Sequence, residues 1–250
     1  DRPVIERPAG VIFAADHGVA QADVSAYPSD VTASMLQAYS KGQATINAFA
    51  RAAGADLVAV DVGVGHPTGD IRTESAMSPE RFDSVVQIAI DTIDALDCDL
   101  LILGEMGIGN TTVAAAIAAS LAGGETASWV GRGTGVDDAG LARKRKAVQQ
   151  TQRRIVGITD PIEILREVGG AELAALAAAT MAARNRSIPV VLDGYITAAS
   201  VLPLVMVEPS AIDHCIVGHC SAEPGHRKLL ERLGKRPLLD LDMRLGEGSG

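Results

Sequence analysis

The sequence predicts an α/β fold with a mostly parallel sheet and helices on both faces. Short apolar runs alternate with longer helical stretches along the 250 residues, and each run ends in glycine and polar residues. Strands alternating with helices indicate a parallel sheet buried on both sides. Aromatic residues make up only 3% and alanine is abundant, so small aliphatic side chains let helices lie close to the sheet. The pattern is Rossmann-like, and the ligand crevice of such sheets lies outside the carboxyl ends of the strands.

The elements follow in order. Residues 11–15 form an apolar run that ends in Asp16-His17-Gly18, a buried strand leading into a loop. Residues 30–53 read as helical, and 57–64 repeat the strand signal through Asp61-Val62-Gly63. Ser78-Pro79-Glu80 is a helix start, with a capping hydroxyl, proline in the first turn and an acid at the positive end of the dipole. Further strands are predicted at 100–103, 189–192, 215–217 and 238–241, each followed by glycine and polar residues. No linker or repeat divides the chain, so residues 1–250 are read as one domain. The opening Asp1-Arg2-Pro3 and the abrupt Gly248-Ser249-Gly250 create the expectation that parts of both termini lie outside this sequence.

A net charge of -9 argues against a nucleic-acid surface, which needs clustered cations. A bound phosphate must be held locally, by a few cations and backbone amides. No run of about 18 apolar residues is present, so no membrane span is expected. The cysteines Cys98, Cys215 and Cys220 are few and odd in number, which reads as reduced thiols of a cytoplasmic protein.

Two glycine loops stand out. Gly104-Glu105-Met106-Gly107-Ile108-Gly109-Asn110-Thr111-Thr112 precedes an alanine-rich helix, whose exposed amides favour an anion. No Gly-Lys-Ser/Thr follows, so it is not a Walker motif, and a tight capped turn would look the same. Gly131-Arg132-Gly133-Thr134-Gly135 precedes a helix carrying Arg143, Lys144, Arg145 and Lys146. Charge alone does not single out Lys144, and the other cations are expected on a solvated face.

His214, Cys215, His219, Cys220 and His226 superficially resemble a zinc set. Strand alternation places His214 and Cys220 opposite Cys215 and His219, whereas a tetrahedral site needs convergent ligands. No metal is expected. His17 reads as a residue that fixes a loop. The carboxylates Asp16, Asp61, Glu105, Asp193, Glu223 and Glu247 all fall near strand ends, and most of them are expected to be structural.

With these residues in view the chain closely resembles the nicotinate-nucleotide–dimethylbenzimidazole phosphoribosyltransferase family. The matching segments are Phe13-Ala14-Ala15-Asp16-His17-Gly18-Val19, Asp61-Val62-Gly63-Val64, the 104–112 loop, Ser221-Ala222-Glu223-Pro224-Gly225-His226 and Arg244-Leu245-Gly246-Glu247-Gly248. The resemblance implies that Glu247 is the catalytic base and that Glu105 lies close to the reacting sugar. It implies that the first loop (Gly107, Gly109, Asn110, Thr111), the second (Gly133, Thr134, Gly135) and Lys144 hold the ribose phosphate. Asp193, Gly194 and Ser221 would line the nucleotide side, and Tyr27, Pro28, Met35 and Leu245 would line the base pocket. It also implies a homodimer acting on nicotinate mononucleotide and a benzimidazole-type base, and a small helical subdomain that is expected to be incomplete in this chain. The stretch from 65 to 76 is shorter than the family pattern.

The chemistry fits without a cofactor. The pyridine nitrogen of nicotinate mononucleotide is cationic, so nicotinate leaves neutral at that nitrogen and no general acid is needed. Attack by the free benzimidazole nitrogen on the anomeric carbon acidifies the remaining ring N–H. One carboxylate accepting that proton contributes about 100- to 10,000-fold, and a second, Glu105, would favour a cationic sugar transition state. A related transferase using another base, and a nucleotide-binding protein without turnover, are the alternative readings.

Overall fold

The computed structural model describes residues 4–244 and 246–250. Its centre is a six-stranded sheet, made of β1 (Pro8–Ala15), β2 (Asp56–Gly63), β3 (Leu100–Met106), β4 (Val190–Leu192), β5 (Cys215–Ser221) and β6 (Pro237–Met243). The spatial order is β2-β1-β3-β4-β5-β6 and every neighbouring pair is parallel. The order reverses at β1, which places a crevice at the carboxyl ends of β1 and β3.

Alternation along β1 divides the molecule into two cores. Val11 and Phe13 face the larger one, with Leu101 and Leu103 of β3 and most of the helices. These are α3 (Pro79–Asp94), α4 (Asn110–Ala122), α5 (Asp138–Arg154), α6 (Pro161–Val168), α7 (Ala171–Asn185), α8 (Tyr195–Val207) and α9 (Pro224–Leu233). The alanine-rich α7 packs on β1, β2 and β3 and against α3 and α8. Small side chains allow that close approach, and Thr180 within it satisfies its hydroxyl on the Leu176 carbonyl at 2.8 Å.

The other face also carries helices, as expected, though over part of the sheet only. Ile12 and Ala14 pack there against α1 (Val31–Ser40) and α2 (Thr45–Ala53), which cover the β1–β3 side. On β5 and β6 the side chains of Ile216, Leu238, Leu239 and Leu241 are exposed. The helical stretch expected over 30–53 is two helices. Gly42 adopts φ +73°, the left-handed conformation that ends a helix, and the Gln43 N–H closes on the Ala38 carbonyl at 2.9 Å. Asn47 joins the pieces, accepting from the Ala44 N–H and donating to the Tyr39 carbonyl, both at 3.0 Å. The helix start at Ser78 forms as predicted, its hydroxyl accepting from the Arg81 N–H at 3.2 Å. Such a cap is worth about 1 kcal/mol. Among the described residues no helix is long and apolar enough to cross a membrane.

Candidate active site

A cleft of about 1010 Å³ opens along the carboxyl edge of the sheet, between α1, the starts of α4 and α8, and the loops after β3, β4, β5 and β6. A shallower depression of about 330 Å³ along α5 is lined by Gln149, Gln152, Arg153 and Val156. The main cleft gathers almost every residue singled out in the sequence. Tyr27, Met35, Glu105, Gly107, Gly109, Asn110, Thr111, Gly133, Thr134, Gly135, Asp193, Gly194, Ser221 and Glu247 all line it. Leu245 lies outside the described residues, and Lys144 sits one layer behind the wall.

Each side chain has a traceable support. Glu105 is part of β3, paired in register with Phe13, and its Oε2 accepts from Asn110 Nδ2 at the start of α4. Lys144 is 1% exposed, whereas its neighbours Arg143, Arg145 and Lys146 are exposed. Its Nζ donates to Thr111 Oγ1 at 2.8 Å, and a β-carbon on Gly133 would lie 3.2 Å from it. Both glycine loops and the ammonium therefore meet at one point. Burial holds the Lys144 ammonium down to about 8, against a raising influence of Glu223. The second loop is anchored from below: the Tyr195 hydroxyl donates to the Trp129 carbonyl at 3.0 Å, and Glu223 Oε1 accepts from the Gly133 N–H at 2.7 Å.

Asp193 follows β4 directly and is buried. Its two oxygens accept from the backbone N–H groups of Gly248 and Gly250, each at 2.9 Å, and His219 Nδ1 of β5 lies 3.5 Å away. Ser221, the last residue of β5, gives its N–H to His226 Nδ1 at 2.9 Å. Burial lowers His226 to about 3, so the ring stays neutral and accepts that bond.

Glu247 stands in a turn closed by Ser249, whose N–H and hydroxyl both donate to the Gly246 carbonyl, at 3.1 and 2.7 Å. Its own φ is +63°, a conformation that a residue with a side chain rarely holds unless its surroundings impose it. Tight contact with the sheet imposes it here: a β-carbon on Gly104 would lie 2.6 Å from the Gly248 nitrogen. The carboxylates crowd together, and a β-carbon on Gly246 would lie 3.0 Å from Glu105 and 3.5 Å from Asp193. Burial raises Glu247 above the usual carboxylate range, opposed by Tyr39 and reinforced by Asp193. Glu105 is pushed well above that range, first by burial and then by Glu172, Asp193 and Glu247. Such a cluster favours a cation in the space it faces.

Other expectations are qualified. Arg145 lines the cleft, although its charge reads as part of a solvated face. Glu105 is expected from the reaction chemistry to help a cationic sugar transition state, yet burial and the neighbouring carboxylates push it well above the usual carboxylate range. Asp61 and Asp16 serve their loops, Asp61 accepting from the Gly63 and Val64 N–H groups and Asp16 from that of Gly65. His17 pairs with the buried Glu172 at 2.6 Å beneath the first glycine loop. His214 is bound to the Thr180 carbonyl, away from the cleft. Tyr39 escapes a reading of the sequence, and His219, weighed there only as a metal ligand, lines the cleft beside Asp193 instead.

A parallel sheet with two anion-seeking loops and a carboxylate cluster on its carboxyl edge is the arrangement of an enzyme that transfers a sugar phosphate. A family model described as phosphoribosyltransferase matches residues 1–250. The chain is 49% identical over 251 residues to the nicotinate-nucleotide–dimethylbenzimidazole phosphoribosyltransferase of Mesorhizobium japonicum, covering 100% of this chain and 74% of that protein. To the protein of that name from Methylorubrum extorquens it is 48% identical over 250 residues, covering 99% and 73%. The crystal structure of CobT from Thermus thermophilus superposes with a TM-score of 0.95 at 42% identity, covering 99% of this chain and 80% of that one. The chain belongs to the nicotinate-nucleotide–dimethylbenzimidazole phosphoribosyltransferase family.

Proposed function

We propose that the cleft moves the 5-phosphoribosyl group of nicotinate mononucleotide to 5,6-dimethylbenzimidazole, giving alpha-ribazole 5'-phosphate and nicotinate for the lower ligand of cobalamin. The observation that carries this reading is the convergence of Glu247, Glu105 and Asp193 with both glycine loops in one cleft. The phosphate binds between the start of α4, the 133–135 loop and the Lys144 ammonium. The cationic pyridinium and its ribose lie against the carboxylates. Met35 and Tyr27 on the α1 side bound the space for a flat base.

The reaction is one displacement. The free benzimidazole nitrogen attacks the anomeric carbon, and the bond to the pyridinium breaks with its electron pair going to the nicotinate nitrogen. The proton on the other benzimidazole nitrogen passes to Glu247. Burial pushes Glu105 well above the usual carboxylate range, and in its protonated form it is suited to donate a hydrogen bond to the ribose. The exposed apolar side chains of Ile216, Leu239 and Leu241 support a homodimer, to be checked by mass measurement in solution. The free, buried cysteines support a cytoplasmic setting.

The test is an assay with nicotinate mononucleotide and a panel of azoles. The expected result is nicotinate release matched one to one by a new riboside phosphate, fastest with a dimethylated benzimidazole. Faster reaction of an adenine or phenolic acceptor would assign a different base, and no release with any acceptor would reduce the protein to nucleotide binding.

A further inference from the structure

Tyr39 is not accounted for by the reaction as described. It occupies the last turn of α1 and is 3% exposed, packed with Ile12, Ala14, Ile46, Met106 and Ile108. Asn47 of α2 fixes its backbone through the 3.0 Å bond to its carbonyl. Its hydroxyl is buried and completes no hydrogen bond of good geometry. A phenylalanine would fill such an apolar niche without leaving a polar atom unpaired. The Glu247 turn descends onto the same cluster, since a β-carbon on Gly248 would lie 2.8 Å from Ile12 Cδ1 and 3.7 Å from Ile46 Cδ1. Among the charged groups facing the hydroxyl, Glu247 acts on it most strongly, followed by Glu105 and Asp193.

We infer that Tyr39 is a positioning residue for the catalytic carboxylate: its buried, unpaired hydroxyl is the donor held ready for Glu247, and once engaged in the substrate complex it turns the free oxygen toward the ring N–H of the acceptor. This rests on Glu247 being the base. The groups around Glu247 explain why a neutral donor matters. Glu105 on β3 and Asp193 after β4 both face it, with His219 on β5 behind Asp193 and Glu172 acting on Glu105, while Arg244 on its own loop is exposed. Burial and Asp193 drive Glu247 toward its protonated form, in which it cannot take a proton, and Tyr39 opposes them. Burial and the same carboxylates push the Tyr39 hydroxyl far above its ordinary value. It therefore stays protonated and serves as a donor, not as a rival base.

The experiment compares Tyr39→Phe, Glu247→Gln and the double variant, measuring kcat and KM across pH together with the melting midpoint. Tyr39→Phe keeps the ring and removes the hydroxyl. Its midpoint and both KM values should be retained, while the acid-side fall of kcat moves up by about one pH unit, as expected when a carboxylate loses a hydrogen bond to its charged form. Turnover on that limb should drop about tenfold and approach the parent value at higher pH. The double variant should be no slower than Glu247→Gln alone, because the hydroxyl acts through that carboxylate. An unmoved kcat profile in Tyr39→Phe, with Glu247→Gln inactive, overturns the inference while leaving the base assigned. A lowered midpoint with kcat and KM impaired equally at every pH makes Tyr39 structural and also overturns it. Near-normal turnover of Glu247→Gln removes the base reading instead.

Discussion

Asp193 holds the backbone of Gly248, its Oδ2 accepting the Gly248 N–H at 2.9 Å while its Oδ1 accepts that of Gly250 at the same distance. A residue expected to line the nucleotide side thus also clasps the turn that carries Glu247. In Asp193→Asn one side-chain oxygen becomes an NH₂ group that cannot accept, so one backbone N–H loses its partner. Such a loss costs about 1–3 kcal/mol. Turnover should fall roughly 10- to 100-fold, with the fold intact and faster amide exchange at residues 246–250. Unchanged exchange together with unchanged kcat would show that the clasp does not matter.

Lys144 should make substrate capture pH-dependent. Its ammonium, lowered to about 8 by burial, is charged below that value and neutral above it. Because kcat/KM follows the free enzyme, kcat/KM for nicotinate mononucleotide should fall as pH rises through about 8. Lys144→Met should abolish that alkaline limb and cost about 1.5–3 kcal/mol of phosphate binding, a factor on the order of 10 to 100. Affinity for free benzimidazole should stay within about twofold. Equal loss for both ligands would make the residue structural.

Glu105 separates two roles for one carboxyl. If it works as a protonated acid, Glu105→Gln mimics its shape and hydrogen bonding, and should keep at least about tenfold more turnover than Glu105→Ala. If its negative charge is what stabilises the sugar cation, both variants should be equally slow. Steady-state kcat of the two decides between them.

The sheet is legible because apolar runs buried in a parallel sheet leave little else for the sequence to be. Strand lengths are not. Glu105 and Met106 read as loop, yet β3 continues through them because Phe13 and Ala14 pair beside them in register. Leu238, Leu239 and Leu241 read as buried, yet β6 is an edge strand with both sides open. The glycine loops and strand-end carboxylates are visible because their residue types are unusual in such places. Lys144 is distinguishable from its neighbours by the resemblance alone, since burial against Thr111 depends on how α5 meets α4. Tyr39 leaves no signal: within a helix, an aromatic residue that packs and one that reaches a carboxylate look the same.

Glu247 carries the most demanding prediction. Its φ of +63° and the hold of Asp193 on the following N–H groups fix the turn, so the side chain is presented by backbone geometry more than by its own packing. Gln at this position has nearly the same size and can still accept a hydrogen bond from the acceptor ring, so both substrates should bind within a few-fold of normal. It cannot keep the proton, and turnover should fall by at least about 100-fold, as for a lost general base. The pH profile adds a second check. Only ionised Glu247 accepts a proton, and burial has raised it above the usual carboxylate range. The parent enzyme should therefore lose kcat as pH falls through a value above the ~4.3 of a free glutamate. That limb should be absent from the residual activity of Glu247→Gln. Acceptor protonation is common to both proteins, so the difference between their profiles isolates the enzyme group. Near-normal turnover in the variant, with binding and fold confirmed, would move the search for the base to Asp193 and Glu105.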